Sequence, residues 1–393
     1  MNKKRYRLFY VVTHPIQYQA PWLRMIANHP NIDILVIFYW DKKTEPQFDE
    51  KFQRKIEWDV PLLEGYRYVF LSDVAKKKTR ISKLVALWKL MRKEEFNLVW
   101  AHGYTDFYMV FTLLFAKLKR FKTLTRGDSI LFPRRDNQLT KKKWIFKILN
   151  YFVDSYLAVG TENKKYYQAC GVPDQKIGSC NYAVDNDYFK AKINIARENL
   201  SEIKTELQLL DNRPVILYVG KFSTEKRPMD LLDAYLKLID HTSVKPYLIF
   251  VGTGEFEQVL KEKSATHADT IRFTGFKNQS EVPAFYALAD ILVLPSIHEK
   301  WGLVVNESMN AGCAMIVTDC VGSRTDLVHH GDNGFIYPAQ DIDALTDYLK
   351  QLIENPEKLQ RMKQKSLDII AQWGLKESVD GVRVACSQLV LEN

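Results

Sequence analysis

The sequence predicts an α/β protein made of two doubly wound domains, and three observations carry that prediction. The chain has 393 residues, more than one ordinary hydrophobic core holds. Short buried-strand patterns alternate with helix patterns along nearly all of it, which argues for parallel sheets with helices on both faces. The alternation breaks once, over the polar stretch 186–213, which carries no strand pattern and reads as a connection between domains. The expected division is a Rossmann-like domain over 1–190, a linker over 191–212 and a second Rossmann-like domain over 213–373. Two such domains place a ligand cleft between them, outside the carboxyl ends of their strands.

In the first domain, apolar Arg7–Val12 reads as a strand, and the loop Thr13–Tyr18 leads to a helix near Pro21–Asn28, where Pro21 suits a first turn. Strand patterns follow at Ile32–Tyr39, Val69–Leu71, Leu98–Ala101, Thr123–Thr125 and Ser155–Ala158. Helix patterns separate them at Ile81–Arg92, Phe107–Leu118 and Lys141–Val153, and a last one follows at Thr161–Ala169. The second series starts at Pro214–Val219 and passes through helix Met229–Ile239, strand Tyr247–Val251, helix Glu255–Lys263, strand Ile271–Thr274 and helix Glu281–Ala287. A strand at Ile291–Leu294, a helix at Leu303–Ala311 and a strand at Met315–Thr318 come next. Helices near Asp343–Glu354 and Glu357–Gln372 close the series.

The N-terminus, MNKKRYRLFYVVTHP, is basic and then apolar, as a secretory leader is. Its apolar run, Leu8–Val12, is too short for that role and reads as the first strand. The longest apolar stretch elsewhere, Tyr108–Ala116, falls far short of a membrane span. Cys170, Cys180, Cys313, Cys320 and Cys386 have neither metal nor disulfide spacing, which fits reduced thiols and a cytoplasmic setting. The net charge of +9 is unevenly divided. Residues 1–200 hold 36 Lys and Arg against 20 Asp and Glu, a net +16, and the remainder nets −7. That asymmetry suggests an acidic partner for the first domain. Nucleic acid is excluded as that partner by the lack of any recognised binding motif.

Residues 291–338 carry the densest signal. A strand, a loop with Glu299, then Gly302 and a helix bearing Glu307 aim free backbone N–H groups at the loop. Two carboxylates eight positions apart would repel a bound phosphate, so they suit sugar hydroxyls beside it. Gly312 suits a left-handed helix end. Upstream, the strand Leu217–Val219 ends at Gly220, and Lys221 and Lys226 follow before Pro228 opens a helix. Lysines leaving a strand's carboxyl end can reach a diphosphate, though most lysines are solvated surface residues. Gly252-Thr253-Gly254-Glu255 and Thr274-Gly275-Phe276 are further glycine turns after strands, and tight turns explain them as readily as ligand contact does.

Taken in order, these elements resemble the family 4 retaining glycosyltransferases, which have the GT-B fold. The series runs G-K-F-x-x-E-K near 220, G-T-G-E near 252, F-x-G-F near 273 and A-D-x-x-V-L-P-S near 289. It continues with E-K-W-G-L-V-V-N-E from 299, G-S near 322 and G-D-N-G-F near 331. The resemblance implies a nucleotide-diphosphate sugar as donor, transferred with retention and without a metal or other cofactor. It implies that Glu307 bonds the donor ribose and Glu299 sits by the transferred sugar. Backbone around Lys300, Trp301, Gly302, Leu303 and Val304 would meet sugar and phosphate. Gly220, Lys221 and Lys226 would hold the diphosphate, with the turns at Gly252, Gly254, Gly275 and Phe276 against the nucleotide. It further implies that 374–393 returns to the first domain. The family usually has arginine where Lys221 stands, and lysine lacks the bidentate fork.

The first domain matches more loosely. Asn181-Tyr182-Ala183-Val184-Asp185 with Phe189 resembles the family's N-G-V-D-x-x-x-F, with the glycine replaced. Its glycine-rich first loop is here Thr13–Tyr18, without glycine, and His14 and Gln17 are taken with Tyr104 as acceptor-side residues. Where the family often has a histidine, this chain has Arg126-Gly127-Asp128, and His102 ends the preceding strand. His102, Arg126 and Asp128 are therefore all candidates for the position beside the reacting sugar. The Arg-Gly-Asp string is read as a chance match to an adhesion motif. Two D-x-D pairs occur. Asp185–Asp187 belongs to the V-D element, and Asp341–Asp343 reads as a helix cap and first turn. Neither is taken as a metal site.

Basic segments lie at 76–93, 117–122 and 141–152. In the first, Ile81, Leu84, Val85, Trp88 and Met91 form a helical stripe among lysines. One reading is a helix packing that stripe on the sheet. The other is a helix lying on anionic lipid, with the enzyme peripheral to an inner membrane face. The expected function is transfer to a glycan or lipid-linked acceptor in cell-surface polysaccharide or lipopolysaccharide synthesis. A GT-B sugar-nucleotide epimerase and a non-catalytic glycosyltransferase-like subunit of a membrane complex are the alternatives.

Overall fold

A computed structural model describes the chain apart from residues 1–5, 41–46, 50–53, 57, 94, 134–137, 210 and 392–393. It divides into two compact units. The first takes its residues from 1–45, 61–182 and 375–393, and the second from 46–60 and 183–374.

The strands of the first unit are β1 (Tyr6–Val12), β2 (Ile32–Phe38), β5 (Arg67–Phe70), β6 (Leu98–His102), β7 (Lys122–Arg126), β8 (Ser155–Ala158) and β9 (Ile177–Ser179). A small antiparallel hairpin, β3 (Gln47–Asp49) and β4 (Arg54–Ile56), falls between them in sequence. The seven strands form one parallel sheet in the order β5-β2-β1-β6-β7-β8-β9. Leu8 to Val12 are wholly buried at its centre, so this apolar run is a core strand. The second unit holds β10 (Val215–Val219), β11 (Tyr247–Val251), β12 (Ile271–Phe273), β13 (Ile291–Leu294), β14 (Ala314–Thr318) and β15 (Gly334–Tyr337). They too are parallel, in the order β12-β11-β10-β13-β14-β15. Each order reverses once, between β1 and β6 and between β10 and β13. In doubly wound sheets the crevice beyond such a reversal is where ligands bind.

Residues 191–212, expected as a linker, lie inside the second unit and are mostly helical. Asn186–Glu198 forms a helix capped by Asp185, whose carboxylate accepts the Tyr188 N–H at 3.1 Å. Phe189, Ile193 and Ala196 turn inward, and the polar residues that masked this pattern form the solvent face. Asp341 caps Ile342–Ile353 in the same way, accepting the Ala344 N–H at 2.9 Å, so both aspartate pairs begin helices. The strands β9 and β15 are absent from the sequence prediction because they are three and four residues long and contain glycine.

The helix Arg80–Lys93 packs through Lys83, Ala86, Leu87 and Met91. Of the stripe Ile81, Leu84, Val85, Trp88 and Met91, Met91 is buried and Leu84 packs against the core, whereas Ile81 is 75% exposed and Val85 48%. Among the described residues no helix is long and apolar enough to cross a membrane. All five cysteines are buried, and none is in a disulfide.

The helix Leu375–Leu391 belongs to the first unit. There the indole N–H of Trp22 donates to Ser378 Oγ at 3.1 Å, and Ser378 donates to the Asn181 carbonyl at 2.8 Å. Gly381 lets this helix lie directly on β9, because a β-carbon there would collide with the Ser179 carbonyl. Gly381→Ala should force the helix outward and cost on the order of 1–3 kcal/mol. Denaturant unfolding reads this, and an unchanged midpoint would contradict the close approach.

Candidate active site

The second unit gathers its chemistry beyond the carboxyl ends of β10, β11, β13 and β14. Leaving β10, the chain turns at Gly220 and runs through Lys221 to Phe222, whose ring is fully buried in the core. Phe222 N–H donates to the Thr253 carbonyl at 3.0 Å, and Gly220 N–H to the Val251 carbonyl at 3.0 Å. The turns after β10 and β11 therefore lie back to back. Gly252, at φ +141°, makes this contact feasible, since a β-carbon there would strike the Gly220 carbonyl oxygen. Glu255 fastens the same two loops by accepting the Thr224 N–H at 2.8 Å. Gly252 N–H in turn donates to the Gly275 carbonyl at 2.9 Å, which brings the turn carrying Phe276 alongside.

The loop after β10 continues to Lys226 and Arg227. Arg227 clasps Asp230 with two hydrogen bonds, at 2.6 and 2.9 Å, and Pro228 starts the next helix. This fixes the backbone from which Lys226 projects. Lys226 Nζ donates to Glu299 Oε2, an ion pair across 73 positions of sequence. Glu299 is placed by the loop after β13, where its carbonyl accepts the Gly322 N–H at 2.9 Å and Ile297 N–H donates to the Glu225 carbonyl at 2.9 Å. Burial and the neighbouring Glu299 carboxylate push the Tyr218 phenol well above its ordinary range, so it stays protonated. Its hydroxyl donates to the Lys221 carbonyl at 2.7 Å.

Gly302 takes φ +89° and turns the chain into the helix Leu303–Met309. The amides of Leu303 and Val304 precede the first hydrogen bond of that turn, from Val305 N–H to the Gly302 carbonyl at 3.0 Å. Glu307 lies on this helix, 4% exposed, and its Oε2 accepts the Tyr286 hydroxyl at 2.5 Å. Trp301, expected on the donor side, turns its ring inward. The indole N–H donates to Asn306 Oδ1 at 2.8 Å and the ring stacks on Trp373 at 5.8 Å. Only its backbone shares the loop with Lys300. Gly312, at φ +75°, follows the helix as its sequence context suggested.

In the first unit, His102 ends β6 and stands beside Arg126 at the end of β7 in strand register. His102 Nδ1 hydrogen-bonds the Tyr10 hydroxyl at 2.5 Å, and its Nε2 lies 3.5 Å from the Gln19 amide. Burial, reinforced by the Arg126 charge, pushes the imidazole down to about 3. His102 is therefore neutral near pH 7, with one nitrogen a donor and the other an acceptor. Arg126, 3% exposed, is held between the rings of Trp22 at 5.1 Å and Tyr182 at 4.4 Å. It donates to the Cys180 carbonyl at 2.9 Å. That arrangement uses the guanidinium to fasten residues 180–182. Asp128 lies near enough to oppose the depression of His102. His14 stacks on Trp40 at 5.3 Å, Gln17 is buried, and Tyr104 packs edge-on to Phe146 at 5.1 Å.

Sequence reasoning missed Tyr286, Tyr10, Gln19 and Glu255. Tyr286 and Tyr10 sit in apolar runs and look like core. Glu255 enters the sequence reading only as the last residue of the G-T-G-E element, with no role of its own.

Comparison with known proteins fits this geometry. Solved structures of glycosyltransferases share the fold, among them Anabaena HepE in complex with UDP-glucose, at a TM-score of 0.68 and 16% identity over 97% of this chain and 99% of that one. The fold is therefore GT-B. Residues 200–368 match the model of the glycosyl transferases group 1. Relatives include an N-acetyl-alpha-D-glucosaminyl L-malate synthase from Bacillus anthracis, 26% identical over 51% of this chain and 50% of the relative. The putative glycosyltransferase EpsD of Bacillus subtilis is 26% identical over 81% and 80%. The chain spans about half the length of other curated relatives it matches, the Bacillus anthracis synthase among them.

Because unfolded histidine titrates near 6.5 and His102 near 3, the unfolded state binds the extra proton between those values. His102 should thus remove stability as pH falls from 6.5 toward 3. His102→Gln should flatten that part of the stability profile, read as unfolding midpoint against pH. A profile as steep as the parent's would contradict the assignment.

Proposed function

We propose that the chain is a retaining glycosyltransferase that moves a sugar from a nucleotide-diphosphate sugar to a glycan or lipid-linked acceptor. The observation that carries this reading is the Lys226–Glu299 ion pair beside the Glu307 helix, at the reversal point of a doubly wound sheet. The match of residues 200–368 to the glycosyl transferases group 1 supports the reaction class, and the UDP-glucose complex of HepE supports the donor class.

The chemistry asks for electrostatics more than covalent work. When the bond from the sugar to the diphosphate breaks, the electron pair leaves with the diphosphate and the sugar becomes oxocarbenium-like. Lys226 and Lys221 stabilise the negative charge as it develops, with the amides at Leu303 and Val304. A diphosphate carries more charge than one carboxylate, so it competes with Glu299 for Lys226. Glu299 is then released toward hydroxyls of the transferred sugar. Glu307, already holding one hydrogen bond from Tyr286, accepts from the ribose hydroxyls through its remaining lone pairs. His102 is neutral and offers hydrogen bonds to a sugar rather than a charge. Arg126 supports the backbone around it.

A second observation favours a membrane-associated acceptor. On the helices Arg80–Lys93, Phe107–Leu118 and Leu139–Phe152, the exposed apolar residues include Ile81 (75%), Leu118 (66%), Trp144 (70%) and Tyr151 (68%). Lysines intersperse them, and Lys117 lies over the Tyr151 ring at 4.7 Å. Aromatic and aliphatic side chains ringed by lysine suit an anionic lipid surface. This reading places the enzyme at the cytoplasmic face of a membrane.

Four outcomes test the proposal. Glu307→Gln keeps an acceptor for Tyr286 yet should weaken binding of the preferred nucleotide among UDP, GDP, ADP and TDP by roughly tenfold to 150-fold, the worth of one charged hydrogen bond. Unchanged affinity by calorimetry would defeat the ribose assignment. Lys226→Ala should lower kcat by a similar factor of about 10–150 with the fold intact. Conversion of a nucleotide sugar without any acceptor, beyond slow hydrolysis, would point to an epimerase. Finally, the chain should sediment with anionic vesicles and not neutral ones. Trp144→Glu with Ile148→Glu should abolish that, and equal sedimentation of parent and variant would exclude the lysine-ringed face.

A further inference from the structure

The second unit has another cavity, on the side of its sheet opposite the loops just described. It opens where β10 and β11 begin and where the chain enters β13, at Val215, Tyr247 and Asp290. Its volume is about 260 Å³, several times that of a water molecule. Four cations line it, Arg197, Lys204, Arg213 and Lys363, against two carboxylates, Asp211 and Asp290.

The carboxylates are matched one to one. Asp211 pairs with Arg213 at 2.8 Å, and Asp290 with Lys363 at 2.5 Å. Asp290 also accepts the Val215 N–H at 3.0 Å, so it is fixed in place. Arg213 is pinned as well, donating to the Tyr247 hydroxyl at 2.7 Å with its guanidinium 4.2 Å from that ring. The other two cations meet only neutral acceptors among the described residues. Arg197 donates to the Ala311 carbonyl at 2.8 Å, and Lys204 to Asn212 Oδ1 at 3.0 Å. Two cations of the lining thus have no carboxylate partner among the described residues. An anion in the cavity would satisfy both, and guanidinium and ammonium groups suit the oxygens of a phosphate. The cavity also holds more than an inorganic phosphate ion, and Leu200 and Leu209 give it an apolar wall.

We propose that this cavity, walled by Arg197, Lys204 and Arg213 at the amino-terminal edge of the sheet, is a second ligand site that binds a small phosphate ester. It is distinct from the lysine-glutamate cluster at the carboxyl edge. The proposal does not depend on the donor assignment, since it uses none of those residues. One wall has a structural link to that cluster: Ala311, the acceptor for Arg197, lies just past the helix that carries Glu307.

The test is calorimetric titration of the full chain with sodium phosphate at constant ionic strength. Three variants separate the two sites. Lys204→Glu places a carboxylate in the cavity, Lys204→Gln removes only the charge, and Lys226→Ala alters the opposite edge. The parent should bind phosphate saturably. Lys204→Glu should weaken that binding by roughly tenfold or more and Lys204→Gln by less, while Lys226→Ala leaves it within about twofold. Melting midpoints measured without phosphate confirm that each variant is folded, and should Lys204→Glu fail to fold, Lys204→Gln carries the test. Phosphate binding that is undetectable in the parent, indifferent to both Lys204 changes or abolished by Lys226→Ala would overturn the proposal.

Discussion

The ion pair between Lys226 and Glu299 is the interaction around which the second unit is arranged. Both side chains are largely shielded, 26% and 16% exposed, and each stands on a loop rather than on a helix or strand. Two shielded charges stay together only if both backbones are held rigidly. Lys226 is held from below by the buried Phe222 ring and from beyond by the Arg227–Asp230 clasp. Glu299 is held by the hydrogen bonds of its loop to the Gly322 and Glu225 backbones. Those loops are neighbours because β10 and β13 are neighbours, which follows from the strand order. A pair of this kind adds little to stability, because desolvation offsets much of the attraction. Its value lies in keeping a cation and a carboxylate aimed at one point.

The first unit follows the same topological rule with different chemistry. Its order reverses between β1 and β6, and His102 at the end of β6 bonds Tyr10 on β1. Where the second unit has an ion pair, the first has a neutral imidazole kept neutral by burial and by the neighbouring Arg126. Part of the charge asymmetry lies on the helices Arg80–Lys93, Phe107–Leu118 and Leu139–Phe152, which carry several lysines.

Much of this was legible in the sequence. The strands of the second unit are continuous apolar runs, and Gly220, Lys226, Glu299 and Glu307 follow them at recognisable spacing. What could not be read had identifiable causes. The helix Asn186–Glu198 looked like a linker because only Phe189, Ile193 and Ala196 turn inward. Met91 of Arg80–Lys93 packs inward as the stripe implied, but Ile81 and Val85 do not, because Lys83 takes a buried place and donates to the Tyr39 carbonyl at 3.3 Å. Periodicity assigns lysine to solvent and cannot foresee that bond. Tyr10 and Tyr286 were hidden because a buried tyrosine is indistinguishable from core until its hydroxyl partner is known. Arg126 is a site candidate from its position at a strand end, and the sequence does not show that its guanidinium lies between the rings of Trp22 and Tyr182.

The central claim is that the cluster of Lys226, Glu299 and Glu307 receives the donor. A crystal structure of the protein with its preferred nucleotide-diphosphate sugar tests this most directly. The account predicts the ribose hydroxyls on Glu307, the diphosphate against Lys226 and the sugar beside Glu299. A donor bound away from these three side chains would contradict it.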